Sequence, residues 1–212
     1  MKNTKKVLSV ALAGALAFGS MGAAFAAALV MDAKTDKKVA EAVERLSAFG
    51  IVNGMEDGKY HEEMKVTREQ FAKLLVEAMG LGNAASAANG ATKFADVESS
   101  RWSSGYVNVA VGQGLLKGYP DGTFKPAAEV SYAESVTMLV RALGYKDEFL
   151  KGNWPGNFVA KAAEAGITDG AKFTDALGKA DRGMVALLVD NTLDAKVVKV
   201  DSYDGAAAKY KE

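Results

Sequence analysis

Few side chains in this sequence have the types and spacing that chemistry needs. Glu69 and Glu134 suggest a carboxylate pair for glycoside hydrolysis. Glu69, however, follows the hydroxyl of Thr67 by two residues, whereas Glu134 follows that of Ser131 by three, so a helix-capping role explains Glu134 better than catalysis. Asp57-Gly58 and Asp121-Gly122 would have to be calcium loops to bind metal, but the spaced oxygen ligands of such loops are missing around both, and they read as tight turns. His61 is the single histidine, has no ligand partner at helical spacing and is expected in an exposed loop. Without cysteine there is no disulfide, thiolate metal site or cysteine nucleophile. No catalytic group, metal site or cofactor is therefore expected.

Arg68 is different, because it directly follows Thr67 at what reads as a helix start. A guanidinium gives a carboxylate two parallel hydrogen bonds, which lysine cannot reproduce, and a first helical turn adds free backbone donors and a favourable dipole. The plainer reading is a surface arginine. Trp102 and Trp154 likewise read either as packing residues or as apolar faces for a sugar ring.

These residues sit in a repeated frame. Sliding the chain by 64 residues lays Gly50-Ile-Val-Asn-Gly54, Asp57-Gly58 and Tyr60 on Gly114-Leu-Leu-Lys-Gly118, Asp121-Gly122 and Phe124 without a gap. A shift of 52 lays Trp154 on Trp102, Gly166 on Gly114 and Gly170 on Gly118, giving a third, degenerate copy. Each copy reads as helix, loop, helix. Val39, Ala42, Val43 and Leu46 follow helical spacing up to Gly50, and the runs Thr67 to Gln70 and Ser131 to Glu134 fit capping boxes. Phe71, Leu74, Leu75, Ala78 and Met79 then share one face, as do Met138, Leu139, Ala142 and Leu143. Such units are too small to be stable alone and should pack together.

The expected organisation is a signal peptide over 1–26, repeats over 29–82, 92–146 and 147–198, and a linker or start of a further domain over 199–212. Lys2, Lys5 and Lys6 precede the apolar run from Val7 to Phe18, and Ala24-Phe25-Ala26 fits a cleavage site, with Ala28 as the alternative. Residues 83–92 are small and polar and read as a linker, and the segment after Leu193 reads as a strand and turn with nothing obvious to pair with. With 49% hydrophobic and 25% charged residues the chain is ordinary globular material. Beyond the first 26 residues it carries 23 basic against 26 acidic residues, so it has no basic nucleic-acid footprint, and any attraction for an anion must be local.

The block Phe94-Ala-Asp96-Val97, Trp102, Gly114 to Gly118, Tyr119-Pro-Asp121-Gly122-Thr-Phe124-Lys-Pro126 and the capped helix after it resembles the S-layer homology (SLH) domain. The resemblance implies an all-α module of three copies around a pseudo-threefold axis, with ligand grooves between neighbours. It also implies a non-enzymatic function: anchoring an exported surface protein to an anionic, often pyruvylated, secondary cell-wall polysaccharide. Arg68 then takes the role of the family's glycan-binding arginine, with Asp96, Trp102, Gly114 and Gly118 completing the foremost groove. Arg182, in Asp181-Arg182-Gly183, takes the second with the loop around Gly50 and Gly54, although an alignment shifted by one residue competes. Copy two departs from the family, with Tyr132 at the arginine position, and copy one has Lys38 in place of tryptophan. The alternative is a lattice module that associates with other S-layer subunits and does not bind glycan directly.

Overall fold

The computed structural model describes residues 29–32, 34–204 and 207–212, so the expected signal peptide and both cleavage sites lie outside the described residues. The fold is helical as expected, with one small sheet. In chain order the elements are α1 (Lys37–Ala48), α2 (Arg68–Ala78), α3 (Gly82–Ala87), α4 (Ser104–Gly112), α5 (Tyr132–Ala142), α6 (Gly156–Glu164), α7 (Arg182–Asp194), β1 (Lys199–Asp204) and β2 (Ala207–Lys211). Among the described residues no helix is long and apolar enough to cross a membrane.

The helix starts follow from side-chain caps. Thr67 with Gln70 and Ser131 with Glu134 both close full capping boxes. Asp181 accepts from the Met184 N–H, which makes Arg182 the first residue of α7 and the counterpart of Arg68 and Tyr132 at the starts of α2 and α5. The competing one-residue alignment is therefore not the one adopted. Gly50 and Gly114 follow their helices at φ +71° and +72°, the left-handed conformation that ends a helix.

Packing exchanges partners around the molecule. The second helix of each unit lies against the first helix of the next: α2 on α4, α5 on α6, and α7 back on α1. The loops close the same circle. The Val66 N–H donates to Ala180 O (3.2 Å), the Ala180 N–H to Val130 O (3.0 Å), and the Val130 N–H to Val66 O (2.8 Å). All three residues are buried, so this ring of bonds satisfies backbone groups that water cannot reach. Around it Leu46, Phe71, Leu75, Val107, Phe124, Leu139, Ile167 and Leu188 join in one core cluster. No single unit could bury these side chains alone.

Two expectations change. Residues 83–92 are not a bare linker, since α3 occupies the first half of them and packs on α4. The approach is so close that a Cβ on Gly105 would lie 2.0 Å from Ala85 O. Small residues there, which read as linker composition, allow this contact. The C-terminal segment does find a partner: β1 and β2 pair with each other antiparallel. The hairpin is tied to the second unit by the Val198 N–H on Leu143 O (2.7 Å) and by Tyr210, whose ring meets Tyr145 and whose hydroxyl accepts from the Lys146 N–H.

Candidate functional site

Each second helix begins with its first residue pressed against the loop of another unit, which creates three equivalent clefts. In the first, α7 meets the loop of unit one: the Arg182 and Gly183 N–H groups donate to Met64 O and Glu62 O. Arg182 Nε donates to Tyr60 O (2.8 Å), Nη2 donates to Asn53 O (2.9 Å), and the guanidinium lies 4.3 Å from the Tyr60 ring centroid. A cavity of about 300 Å³ opens here, lined by Asn53, Gly54, Gln70, Lys73, Leu74, Trp102 and Arg182 above an apolar floor that includes Val52 and Tyr60. No acidic side chain is among the described residues that line it. It combines two cations, a half-exposed indole and backbone carbonyls.

Trp102 reaches this cavity because the turn before α4 is pinned to α2. Glu69 is buried and accepts Arg101 Nε and Nη2 (2.7 and 2.8 Å) together with Ser103 Oγ (2.6 Å). Burial alone would raise its pKa, but the Arg101 and Ser103 bonds outweigh it and hold Glu69 below its ordinary value.

In the second cleft α2 meets the loop of unit two, with the Arg68 and Glu69 N–H groups on Ala128 O and Pro126 O. Arg68 Nε donates to Phe124 O (2.8 Å), as Arg182 does to Tyr60 O, but the rest of its surroundings differ. Arg68 is 5% exposed, and its guanidinium lies between the rings of Tyr119 and Phe124 (4.6 and 4.8 Å) and donates to Glu134 at 2.6 Å. The Tyr119 hydroxyl donates to the same carboxylate at 2.7 Å. Burial pushes Glu134 up, yet the Ser131 N–H, Tyr119 and Arg68 together hold it below its ordinary value. Burial, followed by that carboxylate, pushes the Tyr119 hydroxyl up to about 12. The charge on Arg68 is already neutralised.

The third cleft, at α5 and the loop of unit three, holds an aromatic stack in place of the arginine. Tyr132 and Phe173 pack with centroids 3.6 Å apart. Lys38 takes the tryptophan position, close enough that a Cβ on Gly170 would lie 2.7 Å from its Cδ.

The other residues singled out by sequence are placed as follows. Trp102 is grouped by sequence with Arg68, but it lines the Arg182 cavity together with Gly54. Asp96 is taken up by the fold, its two oxygens accepting the Phe124 and Lys125 N–H groups (2.8 and 2.7 Å). Gly118 makes room for Phe94, since a Cβ there would lie 2.2 Å from Phe94 Cε1. Gly50 and Gly114 are exposed helix ends, and Gly50 is not among the residues lining the cavity. Trp154 is half exposed and donates to Thr137 Oγ1 (3.0 Å). His61 accompanies Asp57 (2.8 Å), and its pKa is raised first by that bond. Sequence reasoning missed Lys73, Gln70 and Arg101 as site residues. For Lys73 and Gln70 the available signal was the repeat itself, which puts Thr137 and Glu134 at the same positions in copy two.

Comparison with known proteins matches two of the three repeats. The S-layer homology domain model matches residues 32–72 and 93–134, which hold α1 with the start of α2 and α4 with the start of α5. The chain is similar to the middle cell wall protein of Brevibacillus brevis, at 42% identity over 89% of the chain and 18% of that protein. It is also similar to the surface layer protein of Brevibacillus choshinensis, at 39% over 95% and 18%. A cellulosome-anchoring protein of Acetivibrio thermocellus is 31% identical over 53% of the chain and 25% of its own length. The chain thus spans about a fifth to a quarter of the curated relatives named here. Over residues 32–72 and 93–134 the chain is thus similar to the S-layer homology domain.

Proposed function

We propose that the chain is the wall-anchoring module of an exported surface protein. In this reading it consists of three S-layer homology copies, the third degenerate, behind a cleaved signal peptide. It binds an anionic secondary cell-wall polysaccharide, probed most directly as a pyruvylated one, and it is a binding module rather than an enzyme. One observation carries the reading: the Arg182 cavity presents two cations, an indole face and no carboxylate. That set suits a sugar ring bearing an acid group, because the guanidinium receives the acid while the indole covers an apolar ring face. Wall anchoring is also in keeping with the names of relatives, a cell wall protein and a cellulosome-anchoring protein.

The test is co-sedimentation of the protein with purified cell-wall sacculi, before and after acid stripping of the secondary polymer. Binding that is lost on stripping and lost in Arg182→Ala supports the reading. Equal binding by the variant, or to stripped walls, rejects it. A protein that stays in the supernatant but scatters light as a concentration-dependent oligomer favours the lattice alternative.

A further inference from the structure

Arg68 and Arg182 are both held by loop carbonyls, so whatever holds the loop decides where the guanidinium stands. In unit two a side chain does this: Asp96 accepts the Phe124 and Lys125 N–H groups, and Phe124 O accepts Arg68 Nε. The 64-residue register puts Asp32 at the position of Asp96 and Tyr60 at that of Phe124. Asp32, however, accepts the Lys34 N–H (2.9 Å), and the Tyr60 N–H donates instead to Val30 O (3.2 Å). The Val30 N–H donates to Gly58 O (3.1 Å), so the chain before Asp32 lies along the loop as a parallel bridge. Its side chains alternate as in a strand: Leu29 and Met31 pack against the core, while Val30 is 56% exposed. Leu29 lies on Gly54, where an added Cβ would be 2.5 Å from Leu29 Cδ2, and so plays the part that Phe94 plays over Gly118.

We infer that Leu29 and Val30 form a positioning clasp for the Arg182 cavity, where unit two uses an aspartate for the equivalent loop. The clasp bears on both acceptors of the arginine. Tyr60, whose N–H it holds, offers its carbonyl to Arg182 Nε, and Gly54, on which Leu29 lies, follows Asn53, whose carbonyl accepts from Nη2. Asn53, Gly54 and Tyr60 all line the cavity, so releasing the clasp moves its wall together with the seat of its cation. The two expected cleavage positions, after Ala26 and after Ala28, both leave the clasp on the exported chain. Trimming past Val30 would release the loop without touching any helix, since α1 begins at Lys37. The effect on binding rests on the wall-anchoring reading above, whereas the clasp itself does not.

The test removes the donor of the clasp in the full-length exported protein. Val30→Pro deletes the N–H that meets Gly58 O, and Val30→Ala, which keeps it, is the reference because the Val30 side chain is exposed. Amide exchange at Tyr60 reads the clasp, and sacculus co-sedimentation reads the cavity. Val30→Pro should speed that exchange and weaken wall binding roughly three- to tenfold relative to Val30→Ala. Added to Arg182→Ala it should cause no further loss, because the clasp acts through that arginine. Gly54→Ala should also weaken binding, and adding Leu29→Ala should recover part of the loss by clearing space for the new methyl. Unchanged Tyr60 exchange in Val30→Pro, wall binding equal to that of Val30→Ala, or a loss that adds in full to that of Arg182→Ala overturns the inference. Should Val30→Pro fail to fold, the second pair decides, and no recovery on adding Leu29→Ala overturns it. A wild type that does not sediment with sacculi rejects the wall-anchoring reading, and Tyr60 exchange then upholds or overturns the clasp by itself.

Discussion

Arg101 grips the buried carboxylate of Glu69 with two parallel hydrogen bonds of 2.7 and 2.8 Å, joining the turn before α4 to the first turn of α2. The pair belongs to two different repeats, and the residue after Arg101 is the tryptophan that lines the Arg182 cavity. Removing the Glu69 carboxylate should cost about 2–3 kcal/mol, the range for a charged hydrogen-bonded group losing its partners, and should loosen Trp102. Denaturant unfolding of Glu69→Ala measures the first effect and fluorescence of Trp102 in a Trp154→Phe background the second. Because the folded pKa of Glu69 is lowered, its contribution is present above the unfolded value and is lost as the pH falls through the folded one. The stability difference between wild type and variant should therefore shrink on acidification below about pH 4.

Arg68 and Arg182 should separate stability from binding. Arg68→Ala leaves Glu134 largely buried without its ion-pair partner and should lose about 3–5 kcal/mol of stability while wall binding persists. Arg182→Ala should instead lose wall binding by roughly 10- to 100-fold, and Arg182→Lys should not restore it. Thermal melts and sacculus co-sedimentation of the three variants decide between this assignment and one centred on Arg68.

Trp102 is 51% exposed, so Trp102→Ala should change stability by less than about 1 kcal/mol. It should weaken glycan binding about tenfold, because the ring loses the apolar face it stacks on. The same titration in rising salt should leave the Trp102 contribution intact while eroding that of Lys73, a charge that water and ions can screen.

Asp147 clips the segment after α5 by accepting Arg141 Nε and Nη2 and Lys117 Nζ at 2.7–2.8 Å. Burial opposes ionisation, but those cations hold its pKa down at about 2. Asp147→Asn should cost about 1–2 kcal/mol at neutral pH, discounted for its partial exposure. A depressed carboxylate stabilises above its unfolded pKa and loses that effect as the pH falls towards the folded one. The variant and wild type should therefore converge between about pH 4 and pH 2, as followed by denaturant midpoints.

Gly105→Ala should destabilise by about 2 kcal/mol or more, because the new methyl meets the Ala85 carbonyl at 2.0 Å and a helix backbone cannot step aside cheaply. A melting temperature equal to wild type would mean that α3 does not hold this contact in solution.

The sequence by itself determined whatever is written within a few neighbouring residues. The starts of α2, α5 and α7 are set by Thr67, Ser131 and Asp181, whose side chains cap N–H groups three residues on. The turns at Asp57-Gly58 and Asp121-Gly122, the burial of Tyr60 and Phe124 and the equivalence of the copies were legible for the same reason: each is local or repeated. Only the tertiary structure decided which arginine is available. Glu134 stands 66 residues from Arg68, and Trp102 reaches a cavity whose arginine is 80 residues further on. Packing second helices onto the next unit brings these groups together, and no local pattern records the pairing. A guanidinium at a helix start looks the same in sequence whether it faces Gln70 or Glu134. In the folded chain one carboxylate at 2.6 Å pairs with Arg68, while the Arg182 guanidinium donates to backbone carbonyls beside an open cavity.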